Sequence, residues 1–541
     1  MRRFGRRFGT GAKTVALAAA VSLLAAGCGS GGEENDGSGT EESTNEGGSF
    51  SIAIGEPSAL FPPQSCYASE CSHVIKTLWA GLVEMKDEEL QYRVAESIES
   101  EDQQTWTIKL REGYEFRNGE PVNADAYIRA WNWAAYAPNG AVTAGFFTRI
   151  EGYEALQGEN PESEELSGLK KTGDYEFEVT LNQPFSQFPY MLLYKPAFSA
   201  VSQECLDNIK ACNEGEMPIG NGAYQMAGPW KHNQSITVKK AEDYAGPDAG
   251  NADEIQFKIY TNMDTAFRDY QAGNIDIVAP VPSQVEQAKG VAGDRVIQEN
   301  SSTFTYIGLP LYIDYLKDPA VRHALSLAID RQTIIDQLLA GLGTPAQSVT
   351  SPIVPGGGTD ECEYCEYDPE RAKEMMPDGA LPDTITLWVN SGAGNDQWVQ
   401  AVGNMWRETF GVDYEIKSLQ FPEYLDTLGK GKSTGPYRLG WAMDFPSMVN
   451  YLKPIYFEGA PTNYSQYSSE EFEQLVLEGS AAPSQDEAVA KYTEATQVLL
   501  EDMPVIPISF GEAFYIYSED VENVNYSGLY DILLSDVTVT G

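Results

Sequence analysis

The chain has 541 residues, 42% hydrophobic and 11% aromatic, which is ample for well-packed globular structure and too long for a single core. Its 80 acidic residues against 36 Lys and Arg give a formal charge of −44, a surface that repels nucleic acid and excludes it as a partner. With only three histidines there is little material for a zinc cluster or an imidazole-centred active site.

The first readable segment is the N-terminus. Arg2, Arg3, Arg6, Arg7 and Lys13 precede an apolar run from Val15 to Ala26. A bilayer span needs about 20 apolar residues, so this run is too short and reads as an export signal, residues 1–27. The small residues before Cys28 make it similar to a bacterial lipoprotein signal, although Ala25 stands where Leu is commonest. Cleavage before Cys28 would leave that cysteine as the lipidation site. Gly29 to Gly48 contains no apolar residue, so residues 28–48 read as a flexible acidic linker with the fold starting near Ser49. No later stretch is apolar enough for a membrane helix, which leaves the lipid as the anchor to the cell membrane.

Along the folded part, Phe50–Ile54 alternates as a strand and leads into a Pro/Ser loop, then a helix over Val74–Leu82. Trp106–Leu110 and Tyr175–Leu181 are half-buried strands. Asn123 is placed to cap a helix reaching Tyr136. Ile255–Ile259, a helix near Thr265–Ala272 and Ile275–Val278 follow. Asp318 and Pro319 open a helix whose apolar stripe runs from Val321 to Leu338 and stops at Gly341. Thr384–Val389, a helix from Asp396 to Phe410 and Val412–Ile416 form a βαβ unit, which predicts parallel strands. Ser468 with Glu471 and Ser484 with Glu487 read as capping boxes. Strands over Val505–Phe510 and Phe514–Tyr517 close the chain. The pattern is α/β.

Besides Cys28, six cysteines fall in three close pairs: Cys66 and Cys71, Cys205 and Cys212, Cys362 and Cys365. An even number in an exported chain favours disulfides, with local pairing the simplest connectivity. Cys362-Glu363-Tyr364-Cys365 also fits a redox or zinc motif, but it lacks a strand-to-helix setting.

Several blocks, taken in order, resemble the family 5 extracellular solute-binding proteins, the dipeptide and oligopeptide receptors of ABC importers. They include Val94–Ile98, Trp106–Gly113, Phe116–Asp125, Pro218–Tyr224, Gln271–Asp276, Val321–Arg331, Tyr367–Lys373, Gly440–Pro446 and Asn463–Tyr467. The resemblance implies a two-lobed, hinged, periplasmic-binding-protein-like fold with an extra subdomain. Lobe I would take residues 49–280, with an inserted subdomain at about 82–195. Lobe II would take 281–509, and the chain would return to lobe I over 510–541. The protein would enclose a short peptide between lobes as a monomer and deliver it to membrane permease subunits, with no cofactor or metal of its own and no enzymatic activity.

In peptide-binding members an Asp three residues after a Trp holds the peptide ammonium; the matching positions are Trp441 and Asp444. A buried ammonium needs an ionised partner, and an adjacent indole can shield the pair. The resemblance adds Tyr67 at the cleft rim, Phe304 and Tyr306 on a strand contacting ligand main chain, and Asn463 and Tyr464 on a loop facing the cleft. An arginine would suit the ligand carboxylate. An oligosaccharide or metal-chelate ligand on the same fold, or a surface sensor that imports nothing, are the competing expectations.

Overall fold

A computed structural model describes residues 47–540, except 87–88, 215–216, 248, 360–361, 392–393 and 530. The expected export signal, Cys28 and nearly all of the linker lie outside the described residues.

One eleven-stranded sheet organises the molecule. Two 13-residue strands, Val296–Gly308 and Val505–Tyr517, run antiparallel through its middle. Along their first stretch, Val296–Asn300 pairs with Ile516–Glu512; along their second, Phe304–Gly308 pairs with Phe510–Val505. On one side the sheet continues through Ile277–Val278, Ser49–Ile54, Glu254–Ile259, Ser235–Lys240 and Tyr224–Met226. On the other side it continues through Tyr437–Trp441, Thr384–Asn390 and Asp413–Leu419. The two long strands are thus the shared seam of two α/β lobes.

The seam is interrupted between Asn300 and Phe304. There Ser301 Oγ donates to the Gly511 carbonyl at 3.0 Å and replaces the missing ladder bond. A Cβ on Gly511 would meet Ser301 Oγ at 3.1 Å and Thr303 Cβ at 3.2 Å, tight enough that those side chains would have to shift slightly.

A separate antiparallel sheet, ordered Ala95–Glu99, Thr105–Leu110, Glu176–Thr180, Leu169–Gly173, falls inside the segment expected to be an inserted subdomain. The helix Ala124–Ala135 covers it, with the Asn123 side chain accepting from the Ala126 N–H and the Tyr127 ring stacked on Phe177 at 5.9 Å.

The expected βαβ unit is present, Thr384–Asn390 and Asp413–Leu419 pairing in parallel around the helix Asp396–Phe410. Other expectations need correction. The stripe from Val321 to Leu338 belongs to two helices, Pro319–Leu327 and Arg331–Leu338, with Asp330 capping the second through the Thr333 N–H and Oγ1. The break follows from Arg331, which is 3% exposed. Its guanidinium donates to the carbonyls of Pro507 and Cys365 at 2.7 Å, to those of Ser326 and Ile329 at 3.2 Å, and to Ser326 Oγ at 2.7 Å. The first helix starts at Ser69 rather than Val74. Ser469 is the N-cap where Ser468 was expected; the Ser468 hydroxyl instead donates to Glu458. Val505–Tyr517 is one strand through Gly511, not two.

Each cysteine pair is brought together, with Cα–Cα separations of 6.1 Å for Cys66 and Cys71, 5.6 Å for Cys205 and Cys212, and 5.3 Å for Cys362 and Cys365. These lie within the span of a disulfide. No helix among the described residues is long and apolar enough to cross a membrane.

Burial pulls the Arg331 guanidinium down to about 9, still charged at neutral pH, and each of its three nitrogens donates to a buried acceptor. Arg331→Leu therefore leaves several carbonyls unpaired. It should cost about 3 kcal/mol or more in urea unfolding. A loss below about 0.5 kcal/mol would show that these bonds do not hold the helix break in place.

Candidate functional site

A cleft of about 960 Å³ opens where the seam is interrupted. Its wall is built from both lobes: Tyr67, His73, Lys76 and Tyr194 on the first, Ser301–Thr303 at the seam, and Leu439–Asp444, Thr462 and Tyr464 on the second. The size suits a ligand of several residues or rings.

Asp444 is placed by a short chain of local causes. The strand Tyr437–Trp441 pairs with Phe304–Gly308, Trp441 opposite Phe304, and so ends at the seam. The chain leaves the sheet there and turns at Phe445–Pro446 into the helix Val449–Tyr456. Asn450 on that helix organises the turn. Its Oδ1 accepts from the Asp444 N–H at 2.8 Å and from the Trp441 indole at 3.4 Å, and its Nδ2 donates to Asp444 Oδ2 at 3.2 Å. Across the cleft the Tyr67 hydroxyl donates to Asp444 Oδ1 at 3.0 Å.

These bonds do not offset what burial takes from the carboxylate. Desolvation pushes the Asp444 carboxyl up to about 6, against the lowering effect of Asn450 and Tyr67. No Lys, Arg or His among the described residues forms an ion pair with it. Tyr67 is raised by burial and by the facing carboxylate, so it stays a neutral donor. The site presents an anion partly out of water, one tyrosine bond and one amide, and an indole alongside. It is suited to receive a cation.

The other expected residues are distributed unevenly. Trp441, Tyr67 and Tyr464 line the cleft. Phe304 and Tyr306 are 0% and 1% exposed, stack on one another at 5.3 Å and lie in the core; the cleft surface of that strand is Ser301–Thr303. Asn463 is buried, its amide donating to the carbonyls of Phe457 and Tyr467 at 2.8 Å and so fixing the loop that carries Tyr464. Tyr67 sits directly after Cys66 within the short segment closed by Cys71, and its ring lies 6.0 Å from Tyr194, which stacks on Phe146 at 4.6 Å. Sequence reasoning missed Asn450 and Tyr194. An amide on an amphipathic helix and one tyrosine among 30 carry no local signal.

Residues 89–463 match the family model for bacterial extracellular solute-binding proteins, family 5. The oligopeptide-binding protein OppA of Bacillus subtilis is 26% identical, the match covering 96% of this chain and 97% of OppA. The periplasmic oligopeptide-binding protein OppA of Escherichia coli is 24% identical over 81% of this chain and 82% of its own. Among solved structures, Haemophilus influenzae OppA in complex with RPPGFSPFR superposes with a TM-score of 0.74 at 22% identity, covering 91% of this chain and 99% of that one.

A carboxyl that ionises near 6 when folded and near 3.8 when unfolded is a liability to the ligand-free fold. Well below pH 3.8 both states hold the proton and the penalty vanishes; it grows as pH rises from about 4 to 6 and levels off above 6 at about 3 kcal/mol in favour of the unfolded state. Asp444→Asn should therefore stabilise the ligand-free protein by about 2 kcal/mol at pH 7, with the gain fading toward pH 4 in urea titrations. Equal stability of the two proteins at both pH values would show that the carboxylate is not strained.

Proposed function

Because the chain belongs to the family 5 bacterial extracellular solute-binding proteins, we propose that it is a lipid-anchored receptor that encloses short peptides between its lobes and hands them to the permease of an ABC importer. The observation that carries the peptide assignment is Asp444, a carboxylate on the cleft wall with no cationic partner among the described residues. A peptide's α-ammonium supplies the missing charge, and Trp441 shields the pair from water. Peptide binding is also what the printed names of the OppA relatives state for those proteins.

Tyr67 and Asp444 come from different lobes and already share a hydrogen bond, so a ligand ammonium received by Asp444 beside that bond draws on groups of both lobes and favours the closed arrangement. In this reading the lobes are residues 49–280 with 510–541, and residues 281–509. Phe304, Tyr306 and Asn463 act behind the wall, as packing under the seam and as the brace of the Tyr464 loop. The three cysteine pairs are disulfides formed after export, and the first fixes the loop bearing Tyr67. Cys28 carries the lipid, and residues 28–48 form the leash that keeps the receptor near its permease, where effective concentration is high.

Mass spectrometry of ligand released from the purified protein should give a set of short peptides; a sugar or a metal chelate would overturn the assignment. In calorimetry, Asp444→Asn should weaken peptide binding by roughly 100-fold, in line with about 3 kcal/mol for a desolvated charge pair. Blocking the peptide amine by acetylation should do the same to the wild type. Unchanged affinity in both cases would exclude the ammonium role. Cys28→Ser should release the protein from the membrane into the medium, and persistent membrane association would exclude the lipid anchor.

A further inference from the structure

The segment that carries the small antiparallel sheet also meets three helices of the second lobe, Val449–Tyr456, Glu470–Ser480 and Gln485–Asp502. The Ser186 N–H donates to the Ser480 carbonyl at 3.1 Å, and the Tyr190 hydroxyl donates to Gln485 Oε1 at 2.9 Å. The Phe185 ring stands 6.4 Å from that of Phe445, just before the first of these helices. Two cations belong to this contact, one from each side. The Arg149 guanidinium lies over the Phe185 ring at 3.9 Å, and the Lys453 ammonium lies 5.3 Å from the centre of the Phe457 ring. Among the described residues, neither forms an ion pair or a side-chain hydrogen bond.

In a chain with 80 acidic residues against 36 Lys and Arg, two sheltered cations without a carboxylate are unexpected. Burial pulls the Arg149 guanidinium down to about 10 and the Lys453 ammonium down to about 8, so both stay charged at neutral pH. Arg149 adds to the lowering of Lys453, so the two repel across the contact. Glu473 opposes that lowering from beyond ion-pair distance, and its Oε1 accepts from the Glu458 N–H at 2.7 Å. Ring faces attract a cation but leave its N–H donors unused. A second observation is independent of charge. Ser186 Oγ, one residue from the Phe185 ring under Arg149, is sealed from water and has no hydrogen-bond partner. Beside it the Ser480 and Tyr492 hydroxyls meet at 3.2 Å, and the Tyr492 phenol acts on Arg149. A buried hydroxyl without a partner is rare and costs free energy. A small anion answers all three features: two cations without a counter-charge, their mutual repulsion and the orphaned hydroxyl.

We propose that this contact binds a small inorganic anion between Arg149 and Lys453, with the Ser186 hydroxyl as a further donor. The Arg149 guanidinium, laid over Phe185, keeps the N–H donors of its edge for the anion. Without the anion, like charges oppose one another where the lobes touch. With it, both are drawn to a common counter-charge and the lobes are bridged. The anion therefore favours the arrangement in which the lobes meet, and by linkage the meeting of the lobes tightens the anion. Arg149, Ser186 and Lys453 do not line the cleft, so the inference does not depend on what the cleft holds.

The test is thermal unfolding of the mature chain at neutral pH and fixed ionic strength, with sodium gluconate replaced stepwise by chloride, sulfate or phosphate. For the wild type at least one of the three should raise the midpoint by about 2 °C or more, and the rise should saturate with concentration. A response to chloride assigns a halide; a response to sulfate or phosphate alone assigns an oxyanion. In Lys453→Met, and in Arg149→Met as a second variant should the first not fold, the saturating rise should disappear. A rise that grows without saturating, equal in wild type and variant, is the general salting effect of the anion and overturns the site. No rise in the wild type overturns it too, as does a saturating rise that survives in a folded variant.

Discussion

An ionised carboxylate held partly out of water, with no ion pair to it among the described residues, is the constraint on which the functional reading rests. Asp444 satisfies that description because of how its segment leaves the sheet. Trp441 is the last residue of a strand laid against Phe304, and the next residues must turn at the seam, where the ladder is interrupted. Asn450 then binds the backbone and the side chain of Asp444 together. Among the described residues, the arrangement is held by neutral donors. These suffice to orient the carboxylate but not to restore what desolvation removes, and its ionisation stays near 6. In the proposed reading, an arriving ammonium would release that unfavourable free energy and convert a structural liability into affinity.

The same constraint explains the role of the seam. Both lobes are one sheet, joined by two strands that change partners at Ser301–Thr303 and Gly511. Cleft-lining groups from the first lobe, Tyr67 and Tyr194, and from the second, Trp441, Asp444 and Tyr464, meet across that change. Away from the seam the lobes also touch through Tyr190 and Gln485 at 2.9 Å and through the Phe185 and Phe445 rings. Among the described residues, polar bonds and the Phe185–Phe445 ring pair make a modest contact beside two continuous strands, as the proposed parting and closing of the lobes would need.

Much of the architecture was legible from local signals. Asp318 before Pro319, Asn123 before an apolar stripe, and a helix between two β-rich runs each specify their element through short-range chemistry, and each appears. What escaped depends on contacts far along the chain. The stripe from Val321 to Leu338 is continuous in sequence, and only Arg331, bonding to Pro507 and Cys365, shows why the helix breaks. Gly511 looks like a strand terminator, yet it is the point where the two strands approach closely, and a Cβ there would press on the Ser301 and Thr303 side chains. Phe304 and Tyr306 alternate as a ligand-facing strand would, but the sheet is covered on both faces there and they fall in the core. Trp441 and Asp444, which lie on the cleft wall, were singled out by a short spacing that the family resemblance supplies. Asn450, which positions them, was not, because nothing in the sequence joins it to the turn.

The most direct test of the Asp444 account is the proton released when a peptide binds. Calorimetry at pH 6, repeated in buffers of different ionisation enthalpy, counts that proton. A carboxyl titrating near 6 in the free protein and well below it beside an ammonium should release about half a proton per peptide bound. The release should disappear in Asp444→Asn. Peptide binding with no proton release from the wild type, or with the same release from Asp444→Asn, would contradict it.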